Sequence, residues 1–247
     1  MEKNFIAMQD LIPRANDSGY KRILAVGDVH GCFKKLNSLW QKISVTDNDL
    51  VIFLGDYIEG GKENLKVLRW LMAHNQKENF IILRGNMDDM FLDSFAPNNP
   101  NIIYTGEFAA AQELNSASFE EPELVKQVYD FLTNLKNFYS IKIGGREYFF
   151  CHAGINPNKP LNEQNEETLI WGNNLFYRIY DGEAVIIVGH KSPRKVMKNH
   201  LPQFKELDTS QPARIPKKNI LLLDTRAKDK NGFLSCVDIL TGEFWQS

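Results

Sequence analysis

Apolar strands that end in a glycine and a polar residue recur along the first half of the chain. Residues 21–27, 50–54 and 80–83 are short apolar runs of this kind. Between them, residues 32–43 and 64–74 carry apolar side chains at the spacing of a helix. Strand, polar turn and helix therefore alternate, which predicts β-α-β units and a sheet buried on both faces.

The second half of the sequence predicts a different pattern of secondary structure. Gly144-Gly145 separates two short apolar runs and is typical of a hairpin turn. Further short strands are predicted in this half, which makes it richer in antiparallel sheet than the first: 140–143, 147–150, 185–188, 220–223 and 233–240.

The segments between the two halves are predicted less regularly. Residues 93–118 are polar and contain Pro97 and Pro100, so we expect a loop with a short helix, a possible cap over a site. Residues 121–135 carry an apolar stripe and are expected to be helical. The sequence shows neither an internal repeat nor a linker, and we expect one domain over residues 1–247.

The bulk composition excludes several classes of protein. The chain has 247 residues, 43% hydrophobic and 24% charged, with a net charge of −2. This small net charge argues against a protein that binds along a nucleic-acid polymer or an anionic membrane. Three scattered cysteines do not form a disulfide framework. With no long apolar segment and no leader-like start, we expect a cytoplasmic protein.

Six side chains that bind metal ions well follow the predicted strands: Asp28, His30, Asp56, Asn86, His152 and His190. Alone, each aspartate would be interpreted as a turn residue or helix cap, and each histidine as a hydrogen-bonded core residue. Ligands gather at the carboxyl ends of strands in such sheets, however, and three of the five histidines lie there. Carboxylate, amide and imidazole donors together suit Mn, Fe, Zn or similar divalent ions.

The order of these blocks resembles the calcineurin-like metallophosphoesterase superfamily, most closely its PPP-type bacterial and phage serine/threonine phosphatases and diadenosine-tetraphosphatase relatives. The matching blocks are Gly27-Asp28-Val29-His30-Gly31, Gly55-Asp56, Gly85-Asn86, His152-Ala153-Gly154 and Gly189-His190. The resemblance implies an α/β fold of the αββα sandwich type, with two mixed β-sheets flanked by helices and a dinuclear metal site at the strand ends.

The resemblance also implies how the site works. One ion would be held by Asp28, His30 and Asp56, and the other by Asp56, Asn86, His152 and His190. Two divalent ions, Mn first and otherwise Fe, Zn, Ni or Mg, would activate a bridging hydroxide for attack on phosphorus. The expected substrates are phosphoserine or phosphothreonine peptides, or nucleotide-type phosphoanhydrides.

The residues expected around the substrate depart from the family pattern. Gly60 and Asn173 stand where the resemblance implies phosphate-binding arginines, and Met87 stands where it implies a general-acid histidine. Asp88, or otherwise Glu59, is our candidate for the acid, if burial raises its pKa.

Glu59 and Lys191 are our candidates for substrate binding, and Lys62 and Arg226 are further candidate cations. Two hypotheses remain open. The chain is an active phosphoesterase, or it is a metal-binding sensor of a phosphorylated ligand (a pseudophosphatase) with negligible turnover.

Overall fold

The computed structural model describes residues 8–97, 99–104, 106, 108–201 and 210–247. Its strands are β1 (Arg22–Val26), β2 (Asp49–Phe53), β3 (Phe80–Ile82), β4 (Phe95–Ala96), β5 (Asn99–Ile103), β6 (Phe138–Ile143), β7 (Arg146–Cys151), β8 (Val185–Val188), β9 (Ala213–Arg214), β10 (Ile220–Leu222), β11 (Ser235–Asp238) and β12 (Phe244–Gln246).

The α-helices are α1 (Phe33–Ile43), α2 (Asn64–His74), α3 (Asn86–Leu92), α4 (Ala109–Ser118), α5 (Leu124–Thr133), α6 (Glu166–Trp171), α7 (Phe176–Ile179) and α8 (Pro193–His200). Two short 3₁₀ helices lie at Gln9–Leu11 and Leu161–Glu163. Within the described ranges, no helix has the length and apolarity that a bilayer crossing requires.

Two five-stranded mixed sheets carry the fold. The first has the order β12-β11-β1-β2-β3, in which β1, β2 and β3 are parallel and β11 runs antiparallel to β1. The second has the order β6-β7-β8-β10-β9, in which β7, β8 and β10 are parallel. Gly144 and Gly145, with φ of 56° and 79°, join β6 to β7, so the predicted hairpin is confirmed.

The two sheets pack face to face, and helices cover their outer faces. Along β1, Ile23 and Ala25 point into the apolar layer between the sheets, whereas Leu24 and Val26 face the helices. This alternation follows from the two-residue period of a strand. On the far side, a third apolar cluster joins the outer face of the second sheet to α6, α7 and α8. The predicted αββα sandwich is confirmed.

The segment 93–118 differs from its prediction. Strands β4 and β5 form a small hairpin there, and α4 follows it. The structure places these elements against α2 and α5, where Ala110, Ala111 and Leu114 join the apolar cluster on the outer face of the first sheet. The prediction of a cap over the site is therefore not supported, since none of the described residues of this segment lines the pocket described below.

Phe53 supports a prediction about the stability of the first sheet. Its side chain is fully buried, and its ring lies 5.8 Å from that of Trp70 and 6.4 Å from that of Trp40. Phe53→Ala should lower the free energy of unfolding by about 3–5 kcal/mol through lost burial and a new cavity. Urea unfolding measures the change. Phe119→Ala, at a ring that is 84% exposed, is the control and should change it by less than about 0.5 kcal/mol. Equal effects would contradict this account of the core.

Candidate metal centre

The parallel strands of both sheets bring their carboxyl ends to one edge of the sandwich. The turns after β1, β2 and β3 carry Asp28, His30, Asp56 and Asn86, and those after β7 and β8 carry His152 and His190. The backbone N–H of His190 donates to both carboxylate oxygens of Asp28, at 3.1 and 3.2 Å. All six predicted ligand residues therefore lie in one cluster.

The first group of donor atoms consists of Asp28, His30 and Asp56. Nε2 of His30 lies 3.8 Å from Oδ2 of Asp28 and 3.7 Å from Oδ2 of Asp56. All three side chains are at most 5% exposed. The imidazole of His30 thus lies within 4 Å of both carboxylates.

The second group shares Asp56 and adds Asn86, His152 and His190. Oδ1 of Asn86 lies 3.0 Å from Nε2 of His152 and 2.8 Å from Nδ1 of His190. Oδ1 of Asp56 is 3.3 Å from Nε2 of His152. Ligands about 2.0–2.2 Å from one ion lie roughly 3–3.5 Å from one another, so this spacing fits a shared cation. Asp28, Asp56 and His152 also place one donor atom each within 4.8 Å of one another.

Backbone carbonyls fix the orientation of two of the imidazoles. Nδ1 of His152 lies 2.9 Å from the carbonyl oxygen of Leu54, and Nδ1 of His30 lies 3.2 Å from that of Ile58. A carbonyl oxygen only accepts hydrogen bonds, so Nδ1 carries the proton in each ring. The lone pair of Nε2 then faces the cluster, as in metal-binding histidines.

The electrostatics of the cluster also favour a bound cation. Burial, together with the carboxylates of Asp224 and Asp56, raises the pKa of Asp28 well above its usual range. Burial, together with His152, lowers the pKa of His190 to about 3, which leaves a neutral imidazole with a free lone pair. Buried carboxylates that repel one another are stabilised by a multivalent positive charge. The donor set, its spacing and its charge thus fit divalent ions.

The cluster is held by unusual backbone geometry. His30, Asp56 and His190 have φ of 50°, 57° and 60°, in the left-handed region that residues other than glycine rarely adopt. Each residue in this conformation costs of order 1–3 kcal/mol of folding free energy. It persists because the contacts around it hold the backbone in place. Gly189 leaves room for the carboxylate of Asp28, and a β-carbon added at Gly189 would overlap its Oδ1.

Asp88 lies beneath the cluster and does not reach the pocket. Its carboxylate is fully buried and accepts the N–H groups of Asp56 at 2.8 Å, Tyr57 at 2.9 Å and Gly85 at 2.9 Å. Burial and the charge of Asp56 raise its pKa to about 7. The shift that we predicted is present, but both oxygens are engaged and no face is open to a substrate. The placement therefore fits a residue that positions two turns and does not fit a general acid.

The two residues predicted to bind substrate point elsewhere. Oε1 of Glu59 accepts the backbone N–H of Ala110 at 2.8 Å, which ties it to the start of α4. Nζ of Lys191 donates to Asn174 at 2.9 Å and lies 5.5 Å from the ring centre of Tyr177. Neither side chain lines the pocket over the metal cluster. Their contacts therefore do not support the predicted roles.

An open pocket of about 660 Å³ lies over the cluster, and much of its lining was not predicted. The lining residues are His30, Asp56, Asn86, Met87, His190, Ser192, Arg194, Lys195, Lys198, Asn199, Asp224, Arg226, Lys228 and Asp229. Asp224 follows β10, so the strand-end rule that pointed to the six clustered residues points to it as well. The sequence gives no comparable indication for the cations of α8, because an exposed basic helix face is ordinarily in contact with solvent alone.

Lys228 occupies the space beside Gly60. A β-carbon added at Gly60 would lie 2.8 Å from Cβ and 2.9 Å from Cδ of Lys228. Lys228 also lines the pocket, and its charge acts on Asp28 and Asp224. Of the further cations that we considered, Arg226 lines the pocket but forms an ion pair with Asp229, and Lys62 does not line it.

Comparisons with known proteins agree with this geometry. The family model described as calcineurin-like phosphoesterase matches residues 21–215. The chain is 39% identical over 139 residues to serine/threonine-protein phosphatase 2 of Salmonella typhimurium, a match that covers 56% of this chain and 61% of that protein. It is 24% identical over 198 residues to the asymmetrical bis(5′-nucleosyl)-tetraphosphatase PrpE of Bacillus subtilis, covering 69% and 80% of the two chains.

Among solved structures, a putative diadenosine tetraphosphatase superposes with a TM-score of 0.62, covering 96% of each chain at 19% identity. At that identity the likeness bears on the fold alone.

The contact between Gly189 and Asp28 yields a prediction about metal binding. Gly189→Ala should displace the Asp28 carboxylate and weaken binding of Mn²⁺ by at least the roughly 10–100-fold that loss of a partner of a metal ligand costs. Titration calorimetry measures the affinity, and circular dichroism reports whether the fold is kept. Gly106→Ala is the matched control, because no described residue other than its chain neighbours lies within 4 Å of its added β-carbon. Wild-type affinity in Gly189→Ala would contradict the assignment of Asp28 as a ligand.

Proposed function

Because the chain belongs to the calcineurin-like phosphoesterase family, we propose that it hydrolyses phosphoric esters or anhydrides with divalent ions held by its six clustered side chains. One observation carries the proposal. The two groups of donor atoms share Asp56, whose Oδ2 faces His30 while its Oδ1 faces His152. A carboxylate with one oxygen in each group has the placement of a bridging ligand, and two ions a few ångströms apart are the basis of two-metal hydrolysis.

The roles of the side chains follow from this arrangement. Asp28 and His30 would hold one ion, Asn86, His152 and His190 would hold the other, and Asp56 would contribute to both. When bound, such ions lower the pKa of water and neutralise phosphate oxygens. We propose Mn²⁺ as the resident ion, because mixed carboxylate, amide and imidazole donors suit it. The single-domain organisation and the cytoplasmic location stay predictions.

The substrate is proposed from the pocket and from the relatives. The Salmonella relative is named as a serine/threonine-protein phosphatase and the Bacillus relative as a tetraphosphatase. Met87 lines the pocket where the family resemblance implies an acid, and a thioether cannot donate a proton. Substrates whose leaving group departs as a stable anion therefore suit this site, either phosphoanhydrides or activated monoesters.

Lys228 is proposed as the cation that contacts the reacting phosphate. It lines the pocket and lies against Gly60, the position of an expected arginine. A lysine from the loop after β10 thus takes the space that a side chain at position 60 would use. For the same reason Gly60→Arg is not a clean restoration of the family pattern, because the new side chain would collide with Lys228.

The first test is hydrolysis of p-nitrophenyl phosphate, whose leaving group needs no acid. Wild type with added Mn²⁺ should turn it over, and a chelator should abolish turnover. Asp56→Asn keeps an oxygen for the N–H of Met87 but loses the bridging charge, so kcat/KM should fall by more than roughly 100-fold. Asp47→Asn, at an exposed aspartate, is the matched control. Background turnover by wild type would favour the sensor hypothesis, and full activity in Asp56→Asn would contradict hydrolysis that depends on the shared carboxylate.

The second test concerns Lys228. Lys228→Gln should lower kcat/KM for p-nitrophenyl phosphate roughly 5–30-fold, because a charge-assisted contact to phosphate worth about 1–2 kcal/mol is lost. Lys230→Gln, two residues away and outside the pocket lining, removes the same charge from the same loop and should leave kcat/KM unchanged. Equal effects of the two substitutions would rule out a specific contact.

A further inference from the structure

Helix α8 forms a basic wall on the pocket that contains the metal cluster. Arg194, Lys195 and Lys198 line the pocket, and Asn199 continues the same face. These positions lie together on a helix, because residues three and four apart are neighbours on its surface. The opposite face, with Val196 and Met197, is buried in the apolar cluster on the second sheet. The core therefore fixes which way the wall faces.

The charges of this wall are unfavourable for the helix itself. Arg194 and Lys195 lie in the first turn of α8, where the helix dipole favours acidic residues, and the first turn has none. Arg194 and Lys198 are like charges four residues apart, which destabilises a helix. Among the described residues, no acidic side chain forms an ion pair with any of the three. An anionic ligand on the wall would offset these costs.

The remaining lining indicates which anion fits. Met87 is the single apolar side chain among the described residues that line the pocket, and none of them is a phenylalanine, tyrosine or tryptophan. The pocket therefore offers mainly charge and hydrogen bonds, and its aromatic rings are the imidazoles of His30 and His190, which belong to the metal cluster. The wall and the metal cluster share one continuous pocket, so a ligand that uses both carries several anionic groups close together.

We propose that this pocket takes a linear chain of phosphates, with the terminal phosphate at the metal cluster and the following phosphates on Arg194, Lys195 and Lys198. This inference rests on the proposed phosphoesterase function and extends it. The site recognises the phosphate chain and not a nucleoside, so inorganic tripolyphosphate and a nucleoside polyphosphate are substrates of the same class.

The reaction is hydrolysis of the terminal anhydride bond. The oxygen of one water molecule forms a bond to the terminal phosphorus, and the bond from that phosphorus to the bridging oxygen breaks. The bridging oxygen keeps the electron pair and leaves with the shortened chain. The products are orthophosphate and a chain one phosphate shorter, and the protons of the water pass to the products and the solvent. No oxidant or further reactant is needed.

The test compares two substrates in a variant of the wall. Arg194→Gln, Lys195→Gln and Lys198→Gln combined keep good helix-forming residues at exposed positions. Initial rates are measured with tripolyphosphate and with p-nitrophenyl phosphate, in excess Mg²⁺ or Mn²⁺ over the chain. The ratio of kcat/KM for tripolyphosphate to that for p-nitrophenyl phosphate should fall at least about tenfold in the variant. Lys34→Gln, Lys66→Gln and Lys77→Gln combined remove the same charge outside the pocket and should leave the ratio unchanged.

The outcomes separate this inference from the proposed function. An unchanged ratio with normal hydrolysis of p-nitrophenyl phosphate overturns the proposed role of the wall in binding the phosphate chain. It leaves the phosphoesterase assignment intact. A wall-dependent rate on an acidic phosphopeptide, with none on tripolyphosphate, overturns the phosphate chain in favour of a protein substrate. A diadenosine polyphosphate with kcat/KM more than a hundredfold above that of tripolyphosphate overturns recognition of the chain alone.

Binding provides a second measurement that does not depend on turnover. Calorimetry with the non-hydrolysable imido analogue of tripolyphosphate, on the metal-loaded full chain, should give a Kd at least about tenfold weaker in the wall variant. The dependence of Kd on salt should also become shallower, because fewer cations contact the ligand. Equal Kd values for wild type and variant overturn the inference even if no substrate is turned over.

Discussion

The hydrogen bond between Nδ1 of His152 and the carbonyl oxygen of Leu54 joins the two sheets at the edge where the ligands meet. Leu54 follows β2 in the first sheet, and His152 follows β7 in the second. The bond sets the tautomer of the imidazole. It also makes the orientation of the His152 ring depend on how closely the two sheets pack. A second link, from the N–H of His190 to Asp28, repeats the same design between β8 and β1. The cluster therefore exists only when the sandwich is closed, and its geometry is a property of the sheet packing.

Asp88 supports the same edge from below. One carboxylate accepts N–H groups from Asp56, Tyr57 and Gly85, which belong to the turns after β2 and β3. These turns carry Asp56 in a left-handed conformation and Asn86 at the start of α3. Loose turns would let the donor atoms drift, and metal affinity depends on residues that hold the ligands as well as on the ligands. A buried acid thus acts in the site without touching the pocket.

The parts of the site that sequence could predict are those set by local rules. The clustered donors follow apolar strands, and parallel strands bring their carboxyl ends to one edge, so the approach of Asp28, Asp56 and Asn86 could be predicted from the pattern. The cations that line the pocket could not be predicted from local sequence patterns. Lys228 and Gly60 are 168 positions apart, and only the fold shows that one fills the space beside the other. Arg194 and Lys195 look like any solvated helix face until the packing of Val196 shows which way that face points.

The predicted substrate-binding roles that the contacts do not support have the same physical origin. Glu59 and Lys191 are adjacent in sequence to the ligand blocks, but proximity along a turn does not set the direction of a side chain. The left-handed backbone at Glu59, with φ of 65°, accompanies a carboxylate that is tied to the N–H of Ala110. Lys191 lies one residue after His190, yet its ammonium donates to Asn174. The ligands are held by both sheets, whereas the cations over the pocket come from α8 and from the loop after β10. The cluster of six donors is therefore fixed by the core of the fold, whereas the cations proposed to contact substrate lie on separate elements that can change without disturbing it.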